Sequence, residues 1–166
     1  MFRFNFAAPD KPAFYRELGD ALRALVAGEP DAVANMANAS ALLFEALPDL
    51  NWAGFYRAQY DEDGAGELVL GPFQGKAACI RIPFGKGVCG TAATMLMPQR
   101  VDDVDAFPGH IACDAESVSE LVVPLIWEGK LVAVLDLDSP SPARFDAEDE
   151  AGCVELARIL VRAISR

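Results

Sequence analysis

The sequence predicts an α+β fold, an antiparallel sheet flanked by N-terminal and C-terminal helices. Three observations point there. Two amphipathic stretches open the 166-residue chain, two apolar β-branched runs joined by Glu128-Gly129 lie near its end, and an acid-led helical stretch closes it. No repeat, low-complexity tract or second domain interrupts them, so residues 1–166 read as one domain.

The first helix follows Pro9-Asp10, with Pro12 in its first turn and Phe14, Leu18, Leu22 and Leu25 on one side. Gly28 and Pro30 end it. Asp31 is a reasonable N-cap for a second helix, whose inner face carries Val33, Met36, Ser40, Leu43, Phe44 and Leu47 until Pro48 stops it. From Asn51 the pattern turns to strand. Trp52 to Phe73 reads as a hairpin around the acidic turn YDEDGAGE, and Cys79 to Pro83 as a short third strand. Gly85-Lys86-Gly87 leads into a short helix, VCGTAATML, ended by Pro98. A short strand at Arg100 to Val101 interrupts the loop that follows, in which Asp102, Asp103 and Asp105 are solvated or capping residues. Glu120 to Trp127 and Lys130 to Asp138 form the clearest hairpin. After the linker SPSPARF, Asp146 caps the last helix, with acids in its first turn, Arg158 and Arg162 towards its end, and Cys153, Ala157, Leu160 and Ile164 as the buried stripe.

Composition narrows the function. The formal charge of −11 repels phosphate backbones and anionic lipid, so neither nucleic acid nor a membrane surface is an expected partner. The start has no apolar run of signal-peptide length, and no stretch approaches a spanning helix. A cytoplasmic location follows as the expectation. There thiols stay reduced, and a disulfide is more often transient and catalytic than structural.

The cysteines carry the chemistry. Residues 79–113 hold three of the four, together with the only histidine, His110, and the densest glycine cluster. Cys89 opens a helix behind Lys86, where backbone N–H groups favour a thiolate, and is the residue-level candidate for a lowered pKa. Cys113 lies in a polar loop after Pro108-Gly109-His110. Cys79 alternates into register with Arg81, which puts it on an accessible face. Cys153 belongs to the core stripe. Asp136 and Asp138 alternate with Leu135 and Leu137, so both carboxylates leave one face of a strand, and Glu120 opens the paired strand. Three acids near one cleft suit an ammonium group, and one of them, Glu120 or Asp138, held neutral by its neighbours, could donate a proton. Trp52 and Tyr56, four apart on a strand, share a face and could box an apolar group.

The element order, the Gly-Lys-Gly-Val-Cys-Gly helix start and the LVVPLIWEGKLVAVLDLDSP hairpin resemble a GAF domain. More narrowly, three cysteines spaced ten and then twenty-four positions apart, with NWAGFY, SELVVP and LDLDSP, resemble the free methionine-(R)-sulfoxide reductases. The resemblance covers the chain from Trp52 to its end, and the leading helices fit it. It implies that Cys113 is the nucleophile, Cys89 its resolving partner and Cys79 a second resolving thiol. It also implies that Trp52 and Tyr56 wall the substrate pocket and that Glu120, Asp136 and Asp138 hold the amino acid. The residue-level reading, by contrast, would make Cys89 the nucleophile.

The expected activity is reduction of free L-methionine (R)-S-oxide through a sulfenic acid and then an intramolecular disulfide, recycled by thioredoxin. Without a close Cys-x(2–4)-Cys knuckle no zinc is expected, and the Gly-Lys-Gly segment lacks any nucleotide-binding spacing, so no metal or organic cofactor is called for. The rival is a non-catalytic GAF sensor of a small molecule or redox state. A sensor is normally fused to an output domain, and none is legible here. The family and the amphipathic helices make a homodimer the expected assembly.

Overall fold

In the computed structural model, which describes residues 4, 6–109 and 116–165, helix α1 (Lys11–Leu25) starts at Asp10, whose carboxylate accepts from the Ala13 N–H at 2.7 Å. Asp31 caps α2 (Ala32–Ala46) in the same way through Ala34. The strands are β1 (Trp52–Tyr60), β2 (Gly66–Gly75), β3 (Arg81–Pro83), β4 (Gln99–Val101), β5 (Ser119–Trp127) and β6 (Lys130–Ser139). Helix α3 (Gly87–Met95) lies between β3 and β4, a 3-10 turn (Val104–Ala106) follows β4, and α4 (Ala147–Ile164) closes the chain behind a capping box made by Asp146 and Asp149. Asp103 caps the 3-10 turn, which is the capping role expected of that acid run.

One six-stranded sheet, antiparallel throughout, has the order β3-β2-β1-β6-β5-β4. Strand alternation divides it into two unlike faces. Phe55, Leu121, Val123, Leu125, Leu135 and Leu137 enter a large core under α1, α2 and α4. Trp52, Tyr56, Val122 and Val134 face the other way, under α3. The α+β architecture is thus as the sequence predicts, and among the described residues no helix is long and apolar enough to cross a membrane.

Three local expectations need correction. Val33 and Phe44 do not join the inner face of α2, being 54% and 37% exposed. The expected Met36, Ser40, Leu43 and Leu47 are buried, joined by Ala39 and Leu42, with the Ser40 hydroxyl 3.1 Å from the Pro72 carbonyl. Strand β2 extends to Gly75, beyond the Phe73 end of the expected hairpin. Strand β3 begins only at Arg81, so Cys79 is not a strand residue and the face it was expected to share with Arg81 does not exist. Two side chains of β1 hold backbone carbonyls in the segment between β2 and β3, while the Ile80 carbonyl still accepts from the Leu70 N–H of β2 at 2.9 Å. Trp52 Nε1 donates to the Lys76 carbonyl at 3.1 Å and Tyr56 OH to the Cys79 carbonyl at 3.0 Å.

Candidate active site

Three strands bring the acids together. In the pairing register Glu120 stands directly opposite Asp138, and Asp138 opposite Trp52. One step along the same face Val122, Asp136 and Gly54 form the next row. Two carboxylates directly opposite on a sheet repel when both are ionised, so nothing in folding alone favours this pair. Gly54 makes room for the aromatic wall. A Cβ there would lie 2.4 Å from the Phe73 Cβ and 2.7 Å from the Trp52 ring. With that space free, Trp52 stacks on Phe73 at 5.2 Å and on Tyr56 at 5.9 Å between ring centroids.

Helix α3 supplies the thiol. Its first turn presses on the end of β3, where a Cβ at Gly90 would meet the Pro83 carbonyl at 2.5 Å. That close approach lowers Cys89, the third residue of the helix, onto the acids, with its Sγ 3.8 Å from Glu120 Oε1. Cys89, Glu120 and Asp136 are all buried.

Burial controls the protonation of this group. It pushes the Cys89 thiol well above its ordinary range, and the charges of Asp136, Glu120 and Asp138 push it further. The helix N-terminus, expected to make Cys89 a ready thiolate, is outweighed. Glu120 is likewise held well above the carboxylate range by burial and by the charges of Asp136 and Asp138. Asp136 rises to about 6, burial again being the main cause, with hydrogen bonding to Cys89 and Glu120 opposing it. Tyr56 is raised by burial and by Asp136, so its phenol stays a hydrogen-bond donor. The cluster can therefore store a proton at neutral pH and hand it to a bound oxygen, and it can hold a cation.

Cys79 is disulfide-bonded, whereas Cys89 and Cys153 are free thiols. Cys113 and His110 lie outside the described residues. Cys153 is in the large core, where the helical stripe puts it.

Residues 33–165 match the GAF domain family. The free methionine-R-sulfoxide reductase of Escherichia coli is 50% identical over 94% of this chain and 92% of its own. The chain belongs to this GAF family of reductases. Protein YtsP of Bacillus subtilis is 52% identical over the full length of both chains. The X-ray structure of the free methionine-R-sulfoxide reductase from Neisseria meningitidis, in complex with its substrate, superposes with a TM-score of 0.91 at 48% identity, covering 99% of this chain and 96% of that one.

Sequence reasoning pairs Asp136 with Asp138 on one strand face and Trp52 with Tyr56 on another, with Glu120 opening the paired strand, and the register brings these groups onto one face of the sheet. It missed Phe73, which completes the aromatic stack, although its place opposite Gly54 follows once the first hairpin is in register. It also missed the hold of Trp52 and Tyr56 on residues 76–80, for which a pattern of side chains gives no signal because the acceptors are backbone carbonyls.

Proposed function

We propose that this protein reduces free L-methionine (R)-S-oxide to L-methionine. The observation that carries the reading is the buried, proton-holding Glu120 carboxyl, set against Cys89 and Asp136 and opposite Asp138, with Trp52 on the far side of Asp138 in the same row. In this mechanism the Cys113 thiolate attacks the sulfoxide sulfur while Glu120 gives its proton to the departing oxygen. The protonated oxygen passes from the methionine sulfur to the Cys113 sulfur as the bond between the two sulfurs breaks, so methionine leaves reduced and Cys113 becomes a sulfenic acid. A second thiol displaces that oxygen as water and closes a disulfide, which a dithiol of the thioredoxin type then reduces. The disulfide-bonded state of Cys79 favours it as the resolving thiol, and the burial-raised pKa of Cys89 counts against that residue.

The carboxylates take the α-ammonium, and a peptide bond abolishes that ammonium. A peptidyl sulfoxide would leave desolvated acids unpaired, which penalises it strongly. A reducing, cytoplasmic setting suits this thiol cycle, and the outer faces of the first two helices suit a homodimer.

The test is thioredoxin-coupled NADPH oxidation with free R-, free S- and peptide-bound R-sulfoxide, on wild type, Cys113→Ser, Cys89→Ser and Cys79→Ser. Turnover on the free R form alone, abolished by Cys113→Ser, is the expected result. Activity that survives Cys113→Ser but not Cys89→Ser would exchange their roles, and binding without any turnover would leave a GAF sensor.

A further inference from the structure

Cys89 Sγ, one carboxylate oxygen of Glu120 and one of Asp136 lie within 4.8 Å of one another, and all three side chains are buried. Cys89 Sγ and Glu120 Oε1 are 3.8 Å apart. A tetrahedral zinc ion, with Zn–S about 2.3 Å and Zn–O about 2.0 Å, sets such donors about 3.5 Å apart. The pair closes on a metal by a few tenths of an ångström. Asp136, only 6% exposed, has its Oδ1 buried with no hydrogen-bond partner, and among the described residues no ion pair reaches Glu120 or Asp136. Among the described residues the cluster therefore has an unpartnered acceptor and no cationic side chain on it.

We propose that the reduced protein binds one thiophilic divalent cation, Zn²⁺ or Cd²⁺, through Cys89 Sγ, a Glu120 oxygen and Asp136 Oδ1. The donor set chooses the ion. One thiolate with two carboxylates suits zinc or cadmium, whereas magnesium and calcium require oxygen donors throughout and more of them. Three protein ligands leave a fourth position for water. No sequence spacing announces the site, because Cys89, Glu120 and Asp136 come from a helix and two strands.

Metal binding stands on this geometry alone. Its consequence for activity rests on the reductase reading: the ion occupies the carboxylates assigned to the substrate ammonium, so cation and substrate exclude each other. The bound ion is thus an inhibitor, and it takes no part in turnover.

The experiment uses the Cys79→Ala/Cys113→Ala/Cys153→Ala variant, which keeps Cys89 as its single thiol, titrated with Cd²⁺ in a non-thiol reductant. The expected result is a thiolate-to-metal charge-transfer absorption that saturates at one equivalent. Asp136→Asn on the same background should weaken binding by at least about tenfold. Equilibrium dialysis of the reduced wild type against Cys89→Ser and Cys153→Ser reads the same site if the multiple variant does not fold. Loss of one equivalent in Cys89→Ser, but not in Cys153→Ser, supports the proposal. No charge-transfer band in a folded variant, or unchanged stoichiometry in Cys89→Ser, overturns it. Neither readout uses a sulfoxide, so a failure here leaves the reductase reading standing, and the converse also holds.

Discussion

Each side of the sheet buries a carboxyl beside a cysteine, and the two sites solve the problem of a buried acid in opposite ways. Under the helices, Asp149 is met by Lys11 Nζ at 2.7 Å, Arg144 Nη1 at 3.2 Å, Tyr15 OH at 2.9 Å and the Asp146 N–H at 3.0 Å. Its neighbour Cys153, 4.0 Å from Tyr15 OH, is pushed up to about 12 by burial and is chemically quiet. On the α3 side, Glu120 and Asp136 face one another and a thiol, with no cation among the described residues. The first acid is satisfied and ties α1 to the N-terminus of α4. The second pair is left wanting a positive charge, which is what a binding site for one requires.

Exchanging charge for amide at the two sites should separate these roles. The largest effect is expected from Glu120→Gln, which removes the stored proton and should lower kcat on the free sulfoxide by about 100- to 10,000-fold with the melting temperature kept or raised. Asp149→Asn should do the reverse. It leaves Lys11 and Arg144 without their shared partner and should cost about 3 kcal/mol in urea unfolding, with Lys11 partly solvated, while kcat holds. Equal losses of activity in both variants would erase the distinction.

A pH series sharpens it further. Because Asp136 is raised from 3.8 to about 6, the folded state binds the extra proton in that interval. Its contribution to stability is then greatest below about pH 4 and is lost as pH rises through about 6. Asp136→Asn should therefore be more stable than wild type by about 3 kcal/mol at pH 7, with the gap closing towards pH 4. A constant gap across that range would mean that Asp136 titrates normally. The smallest effect belongs to Tyr15→Phe, which removes one hydrogen bond to Asp149 and should cost about 1 kcal/mol by thermal melting, without touching turnover.

The sequence made the polar face legible through the alternation of Asp136 and Asp138 with leucines, and the helix starts through Asp10, Asp31 and Asp146. Register was harder to read. Glu128 and Gly129 both have positive φ, as a two-residue hairpin turn requires, and pair Trp127 with Lys130. Continued unbroken, that register would put Glu120 opposite Leu137, on the wrong face. A bulge between Leu125 and Ile126, where Val132 on β6 has no partner, shifts the pairing by one and brings Glu120 to Asp138. Nothing in the apolar run LVAVL marks that residue as the extra one. The protonation of Cys89 was misjudged for a related reason. A helix start is visible in sequence, but the acids that descend on it come from strands thirty and more residues away.

The indole of Trp52 is also placed to act as a reporter. The chain has two tryptophans, and they sit at opposite ends of β6, Trp127 facing Lys130 and Trp52 facing Asp138. The Trp52 N–H is fastened to a carbonyl three residues before a cysteine that changes covalent state on reduction. With Trp127→Phe as background, the emission of that single fluorophore becomes a built-in optical gauge of the Cys79 disulfide, readable in real time without a dye.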